Sequence, residues 1–105
     1  MANYHAAVQD FTACLEIDPE HFQAYTNRGY AYRKLGNFEG AIKDYTAAIN
    51  LDDRHIKTLN NRAYCFAKNE QFMEAINDYT SVVMIDNNNL HALHNRGISY
   101  ERVGR

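Results

Sequence analysis

Apolar residues recur along the chain at helical spacing. Tyr25, Gly29, Tyr32 and Leu35 fall at i, i+4, i+7 and i+10. Phe38, Ala41, Ile42, Tyr45, Ala48 and Ile49 repeat the three-and-four step that gathers side chains on one helix face. Short polar breaks separate these stretches. Gly36-Asn37 pairs a residue tolerant of left-handed backbone with an N-cap former. Asp18-Pro19, Asp52-Asp53 and Asn87-Asn88-Asn89 interrupt the pattern elsewhere. The spacing predicts helices of about 14 residues near 4–17, 21–34, 38–51, 55–68, 72–85 and 89–102, with boundaries good to about two residues.

The pattern repeats. Asn-Arg occurs at Asn27-Arg28, Asn61-Arg62 and Asn95-Arg96, at intervals of 34 residues. Aligned on that pair, Ala7, Ala41 and Ala75 form one column, and Val8, Ile42 and Ile76 another. Phe11, Tyr45 and Tyr79 agree, as do Asp10, Asp44 and Asp78, and Tyr4, Phe38 and Phe72. A fixed period of this length denotes stacked supersecondary units, each burying its apolar face against its neighbours. Residues 22–55 and 56–89 make two full units, with half units at 1–21 and 90–105, in one array spanning 1–105.

These columns resemble the tetratricopeptide repeat, a helix pair of the same period. The family's small residue falls on Gly29, Ala63 and Gly97, its aromatic on Tyr32, Phe66 and Tyr100, and its second-helix alanine on Ala7, Ala41 and Ala75. Its closing proline is present only as Pro19; Asp53 and Asn87 stand in the later units, which predicts looser turns there. The aromatic near the start is Tyr25, then Leu59 and Leu93. The resemblance covers the whole chain. It implies an all-α, antiparallel helix-pair solenoid wound as a right-handed superhelix. With the first helix of each unit called A and the second B, the order is B-A-B-A-B-A. It also implies that A helices line a concave groove used for protein–protein recognition, as in scaffold proteins.

Bulk properties narrow the classes. Formal net charge is -2, so no global field selects nucleic acid or membrane. No run of about 18 apolar residues is present, which excludes a membrane-spanning helix. The start Met-Ala-Asn-Tyr-His lacks the features of a signal peptide. Cys14 and Cys65 have neither metal-ligand nor redox-motif spacing and share columns with Ala48 and Val82, and with Ala31 and Ser99. Small buried thiols in a reducing, cytoplasmic compartment are expected. His91 and His94 lie three apart without a third ligand, so neither metal nor cofactor is expected. No phosphate-cradling loop, nucleophile elbow or metal-protease motif is present, and no enzyme activity is expected.

The candidate binding residues follow from the implied groove. Asn27, Asn61 and Asn95 recur on one A-helix face. An amide offers both donor and acceptor, so such a ladder can hold the backbone of an extended peptide whatever its sequence. It is similar to the asparagine ladder of the O-GlcNAc transferase superhelix. Tyr30 and Tyr64 offer flat amphipathic contact area, and Lys34, Lys57 and Lys68 add positive charge. The A helices carry Arg28, Arg33, Lys34, Lys57, Arg62, Lys68, Arg96 and Arg102 against Glu101 alone. The B helices carry Asp10, Glu16, Glu39, Asp44, Glu74 and Asp78 against Lys43 alone. A basic groove favours acidic segments or a C-terminal carboxylate.

Arg28, Arg62 and Arg96 are expected to serve structure, each bridging to one of Asp10, Asp44 and Asp78 in its own or the preceding repeat. One subfamily grips acidic chaperone tails with a carboxylate clamp. The matching positions here are Thr26, Tyr30, Asn61, His91 and Asn95, of which only Asn61 fits. A structural spacer is the alternative reading. An RNA-reading array is disfavoured, because Asn27, Asn61 and Asn95 are identical where a base code needs variation. Leu93, Ile98, Tyr100 and Val103 are expected on a face normally met by a B helix, which suggests open head-to-tail self-association through the first B helix of another molecule.

Overall fold

Each polar break becomes a defined cap, and the caps set the helix order. In the computed structural model, which describes residues 2–104, the helices are α1 (Tyr4–Ile17), α2 (Phe22–Lys34), α3 (Phe38–Leu51), α4 (Ile56–Lys68), α5 (Phe72–Ile85) and α6 (Leu90–Gly104). Helices α1, α3 and α5 are the B type; α2, α4 and α6 are the A type.

Asn3 and Asn37 cap α1 and α3, their Oδ1 atoms accepting from the Ala6 and Gly40 amides at 3.1 and 2.9 Å. The A helices start one residue later than the spacing predicts, because the preceding residue is the cap. His21 and His55 accept through Nδ1 from the amides of Ala24 and Thr58, and Asn89 accepts from Ala92. Between A and B helices the chain turns through left-handed backbone, Gly36 at φ 80° and Glu70 at φ 63°. The Asn37 and Gln71 amides then reach back to the Tyr32 and Phe66 carbonyls, the bond that closes a helix C-terminus.

The B-to-A turns keep a common closure where proline is missing, although the backbone bonds from His21 to Asp18 and from Asn89 to Asp86 have no counterpart between His55 and Asp52. Asp18, Asp52 and Asp86 share one column, and each carboxylate accepts from the amide two residues on at 3.1 Å. This aspartate turn is the element common to all three turns, so it supplies the closure that Pro19 supplements once.

Successive helices pack in chain order, and α2 also touches α4, giving an elongated body of 43 × 25 × 22 Å. The core lies between A and B layers. Ala41, Tyr45 and Cys65 form one cluster, and Leu59, Ala63, Ala75, Tyr79, Val82 and Ala92 form another. The small column is required by the aromatic one: a Cβ on Gly29 would lie 2.9 Å from Tyr45 Cε1. Burial follows the columns except at the outer helices. Ala41, Asp44, Tyr45 and Ala48 are buried on α3, whereas Ala7, Phe11 and Cys14 on α1 are only half-buried and Asp10 is exposed. On α6, Leu93 and Tyr100 are 38% and 53% exposed. Ile98 does not belong to that end face; it lies in the groove column of Tyr30 and Tyr64.

Candidate functional site

The A helices stack side by side, so residues of one column line a continuous surface. Between α2 and α4 they enclose a groove of about 570 Å³ lined by Gln23, Asn27, Tyr30, Lys57 and Asn61, with Phe22 and His55 at one end. A second hollow of about 370 Å³ follows toward α6, lined among others by Tyr64, Lys68, Glu70, Asn95, Ile98 and Arg102. A third of about 240 Å³ lies between α1 and α2 and shares Asn27 and Tyr30 with the first. The three asparagines and both tyrosines therefore border one run of hollows.

The asparagines share a column but not a hydrogen-bonding state. Asn27 is exposed and its side chain makes no hydrogen bond among the described residues. Asn61 Oδ1 accepts from an Arg33 NH group at 3.1 Å. Asn95 turns back on its own helix and donates from Nδ2 to the His91 carbonyl at 2.9 Å. The difference has a sequence cause. Residue 33 faces the asparagine of the next repeat, and its counterpart before Asn95 is Ala67, which has no donor to offer. Of the three candidate rungs, one is therefore free, one half-engaged and one locally bonded.

Arg33 is the residue that the period concealed. Its column continues as Ala67 and Glu101, so no repeat flags it. Its guanidinium lies 5.3 Å from the Tyr30 ring centre and 4.5 Å from that of Tyr64. Lys34 and Lys68 lie 5.8 and 5.7 Å from the same two rings, within cation–π range. Tyr30 also meets Tyr4 edge-on, and Tyr64 meets Phe38, so both rings are packed on one side and cationic on the other. Among the described residues, the ion pairs are Arg28–Asp44 and Arg62–Asp78. Lys57 and Lys68 thus line the hollows, and Arg33 and Lys34 sit over the tyrosine rings that border them, all four without a carboxylate partner among the described residues.

Those two ion pairs are forked. Arg28 donates Nε to Asp44 Oδ2 at 2.8 Å and a terminal NH group to Oδ1 at 2.7 Å; Arg62 and Asp78 repeat this at the same distances. The bond to Asp44 holds the Arg28 guanidinium above its ordinary value, against the opposing effect of burial. Burial pushes the Asp78 carboxyl up, and the hydrogen bond and charge of Arg62 pull the other way. Each partner aspartate lies in the arginine's own repeat.

The remaining NH group of Arg28, Arg62 and Arg96 donates to Thr12, Thr46 and Thr80 of the preceding B helix, at 3.0, 3.1 and 3.2 Å. These threonines also recur every 34 residues, a signal present in the sequence alongside the aspartates. Each arginine in a complete repeat therefore joins three helices. Asp10 and Arg96 are the exceptions: neither makes an ion pair among the described residues, which corrects the expectation of three pairs.

Burial also sets the thiol and phenol chemistry. The Cys65 thiol is pushed up to about 11 by burial, a shift that nearby Arg33 opposes. The Tyr79 hydroxyl is pushed up to about 12, again mainly by burial. The Tyr45 hydroxyl is raised for the same reason and is buried without a hydrogen-bond partner. Among the described residues no group of three His, Cys, Asp or Glu is placed to hold a metal, and no helix is long and apolar enough to cross a membrane.

Two family models described as "Tetratricopeptide repeat" match the chain, over residues 22–55 and 1–21. No curated protein matches. Among solved structures, the first TPR of Spaghetti (RPAP3) bound to HSP90 peptide SRMEEVD superposes with a TM-score of 0.91 at 25% identity, covering 97% of this chain and 81% of that one. The second TPR domain of the human RPAP3 protein, in complex with HSP70 peptide SGPTIEEVD, gives 0.85 at 27% identity, covering 91% and 80%. The crystal structure of MamA gives 0.93 at 17% identity, covering 96% of this chain and 59% of that one, and shares the fold alone.

Proposed function

From a chain that belongs to the tetratricopeptide repeat family, we propose a protein-recognition module that holds an extended, acidic peptide segment along the A-helix groove. The carrying observation is the line of four cations without carboxylate partners, Arg33, Lys34, Lys57 and Lys68, beside Asn27, whose amide is unengaged. The cations select the sign of the ligand and speed its encounter; the asparagines engage its backbone. The role is recognition without catalysis. The peptides held by the RPAP3 domains are acidic, which agrees in sign. Thr26, Tyr30, His91 and Asn95 nevertheless leave four of the five clamp positions unmatched, so the anchoring cations here are Arg33, Lys34 and Lys68 instead. Free Cys14 and Cys65 support a reducing, cytoplasmic setting.

A peptide array scored for extended acidic segments tests this reading, with the folded Asn27→Ala/Asn61→Ala/Asn95→Ala variant as control. At about 1 kcal/mol per hydrogen bond, and with Asn61 and Asn95 already partly engaged, the triple change weakens binding by roughly 10- to 100-fold. A Lys34→Glu/Lys68→Glu variant loses the acidic ligands first. Unaltered binding by both variants defeats the proposal, and an array without any binder favours a spacer. A second reading, self-association of the array, is favoured by the exposure of Leu93 and Tyr100 on α6.

A further inference from the structure

The space beside α4 is filled on its α2 side and open on its α6 side. The α4–α6 hollow is lined by Tyr64, Ala67, Phe72, Tyr79 and Ser99, among others. Carried back by one repeat, these positions become Tyr30, Arg33, Phe38, Tyr45 and Cys65. Of these five, only Tyr30 lines the α2–α4 groove, which lies nearer the starts of the A helices. The remaining space is taken by Arg33. Its guanidinium lies between the Tyr30 and Tyr64 rings, at 5.3 and 4.5 Å, and is tied to Asn61 at 3.1 Å. Tyr45 and Cys65, in the places of Tyr79 and Ser99, are fully buried, and the Tyr45 hydroxyl has no hydrogen-bond partner. Arg33 is close enough to that hydroxyl and to the Cys65 thiol to oppose the rise that burial causes in both. One repeat on, Ala67 is too short to fill the equivalent space, and a hollow of about 370 Å³ stays open down to Tyr79 and Ser99.

The two sides also differ in charge. On the filled side, Arg33 is joined by Lys34, 5.8 Å from the Tyr30 ring, and neither has an ion-pair partner among the described residues. On the open side, Glu70 stands in the column of Gly36 and sets a negative charge beside Lys68. The open hollow offers the rings of Tyr64, Phe72 and Tyr79, with Lys68 5.7 Å from the first and Arg102 5.1 Å from the second. An aromatic guest can meet such rings edge-on and such cations by its face. A carboxylate gains more at Arg33, whose planar fork is already held in place and loses little freedom on binding.

We propose that the ligand of this groove carries two side chains that successive repeats read differently, a carboxylate laid on Arg33 and an aromatic ring inserted into the α4–α6 hollow. This rests on the reading above, that an extended peptide crosses the A helices. Equivalent points one repeat apart are separated by the step between packed helices, about 8–10 Å. In a β-strand, side chains on one face recur every second residue, at about 6.6 or 13 Å. In a polyproline II segment they recur every third residue, at about 9 Å. Only the second matches the step. The ligand is therefore a polyproline II segment whose acidic and aromatic residues stand about three positions apart. Positions 33 and 67 decide which of the two enters which site.

An array of synthetic peptides tests the proposal, each with one glutamate and one aromatic residue at varied separations, in both orders, on an alanine–proline background. The wild type selects a separation of about three residues in one order. Replacing the aromatic residue by alanine weakens binding roughly 10- to 100-fold. Arg33→Ala takes an aromatic residue in place of the glutamate, and Ala67→Arg takes a glutamate in place of the aromatic residue. Each substitution installs the residue that the adjacent repeat already holds in that column, so both variants fold. One readout needs no ligand. With Arg33 gone, a disulfide reagent labels Cys65 in the folded Arg33→Ala chain about tenfold faster than in the wild type, or more. Unchanged labelling overturns the proposal, because Arg33 then does not fill the space. So do binders whose preferences ignore the exchange at positions 33 and 67, a result that leaves the peptide reading standing. An array without any binder overturns that reading and this proposal together.

Discussion

The arginine column supplies its own internal control. Arg62 and Arg96 occupy equivalent helix positions, and both donate to a threonine of the preceding B helix. Only Arg62 also holds a carboxylate, through two bonds of 2.8 and 2.7 Å to an Asp78 side chain that is 7% exposed. Replacing Arg62 with Met keeps much of the aliphatic stem and deletes the guanidinium, leaving Asp78 nearly buried without its partner. Removing one partner of a buried pair costs about 3–5 kcal/mol. The arginine side chain is 19% exposed, so water reaches part of the site, and about 3 kcal/mol is the expected loss. Arg96→Met forfeits one neutral-acceptor hydrogen bond at a half-exposed end, about 1 kcal/mol or less. For a domain of this size each kcal/mol moves Tm by roughly 4–8 °C. Both variants are compared by urea and thermal unfolding followed at 222 nm. Asp78→Ala should match Arg62→Met, and Asp10→Ala should be neutral. Equal losses for Arg62→Met and Arg96→Met would refute the assignment of the stabilisation to the forked pair.

Two further predictions concern local chemistry. Glu70 holds φ 63° in the column where Gly36 holds 80°, and Gln71, in the column of Asn37, makes no side-chain bond to the α5 amides, its Oε1 accepting instead from Asn69 Nδ2 at 2.8 Å. Glu70→Gly and Gln71→Asn should therefore each add about 1 kcal/mol, from relieved left-handed strain and from a new N-cap bond; a double variant whose Tm does not rise contradicts this. Cys65 is fully buried with its thiol pushed up to about 11, whereas Cys14 is half-buried. A disulfide reagent should label Cys14 in the folded chain and Cys65 only on unfolding. Because the folded value lies above the ordinary 9.0, the contribution of the buried thiol is complete below pH 9 and is lost as pH rises toward 11. The slope reaches up to about 1.4 kcal/mol per pH unit. Between pH 9 and 10 Cys65→Ala should flatten that decline, and an unchanged slope would show that the thiol is not its source.

Periodicity made most of the fold legible. Helix bounds, the A and B alternation and the arginine–aspartate joints all follow from columns that repeat, because a repeated residue meets the same neighbours each time. The histidine caps were not legible in this way. His21 and His55 recur, but histidine is not among the usual cap formers, and only the fold reveals that their Nδ1 atoms take the amide bonds. The groove was half legible. Asn27, Asn61 and Asn95 repeat, so the sequence marks them as candidate rungs. Their states differ because Arg33 and Ala67 differ, and a non-repeating neighbour cannot be placed across a groove from spacing alone.

That failure is informative about where recognition sits. In a solenoid, a column that every repeat keeps is explained by the contacts every repeat makes, as Arg28 and Arg62 are by Asp44 and Asp78. A residue that breaks its column has no such explanation. Arg33 breaks its column, packs between Tyr30 and Tyr64, and holds Asn61. It is not needed to build a repeat, since Ala67 and Glu101 serve at the same position. The ladder, common to all repeats, can bind backbone without reading sequence. Discrimination among partners must then come from residues that differ between repeats. On the proposed reading, Arg33 and the free rung at Asn27 would make the α2–α4 groove the place where one ligand is chosen over another.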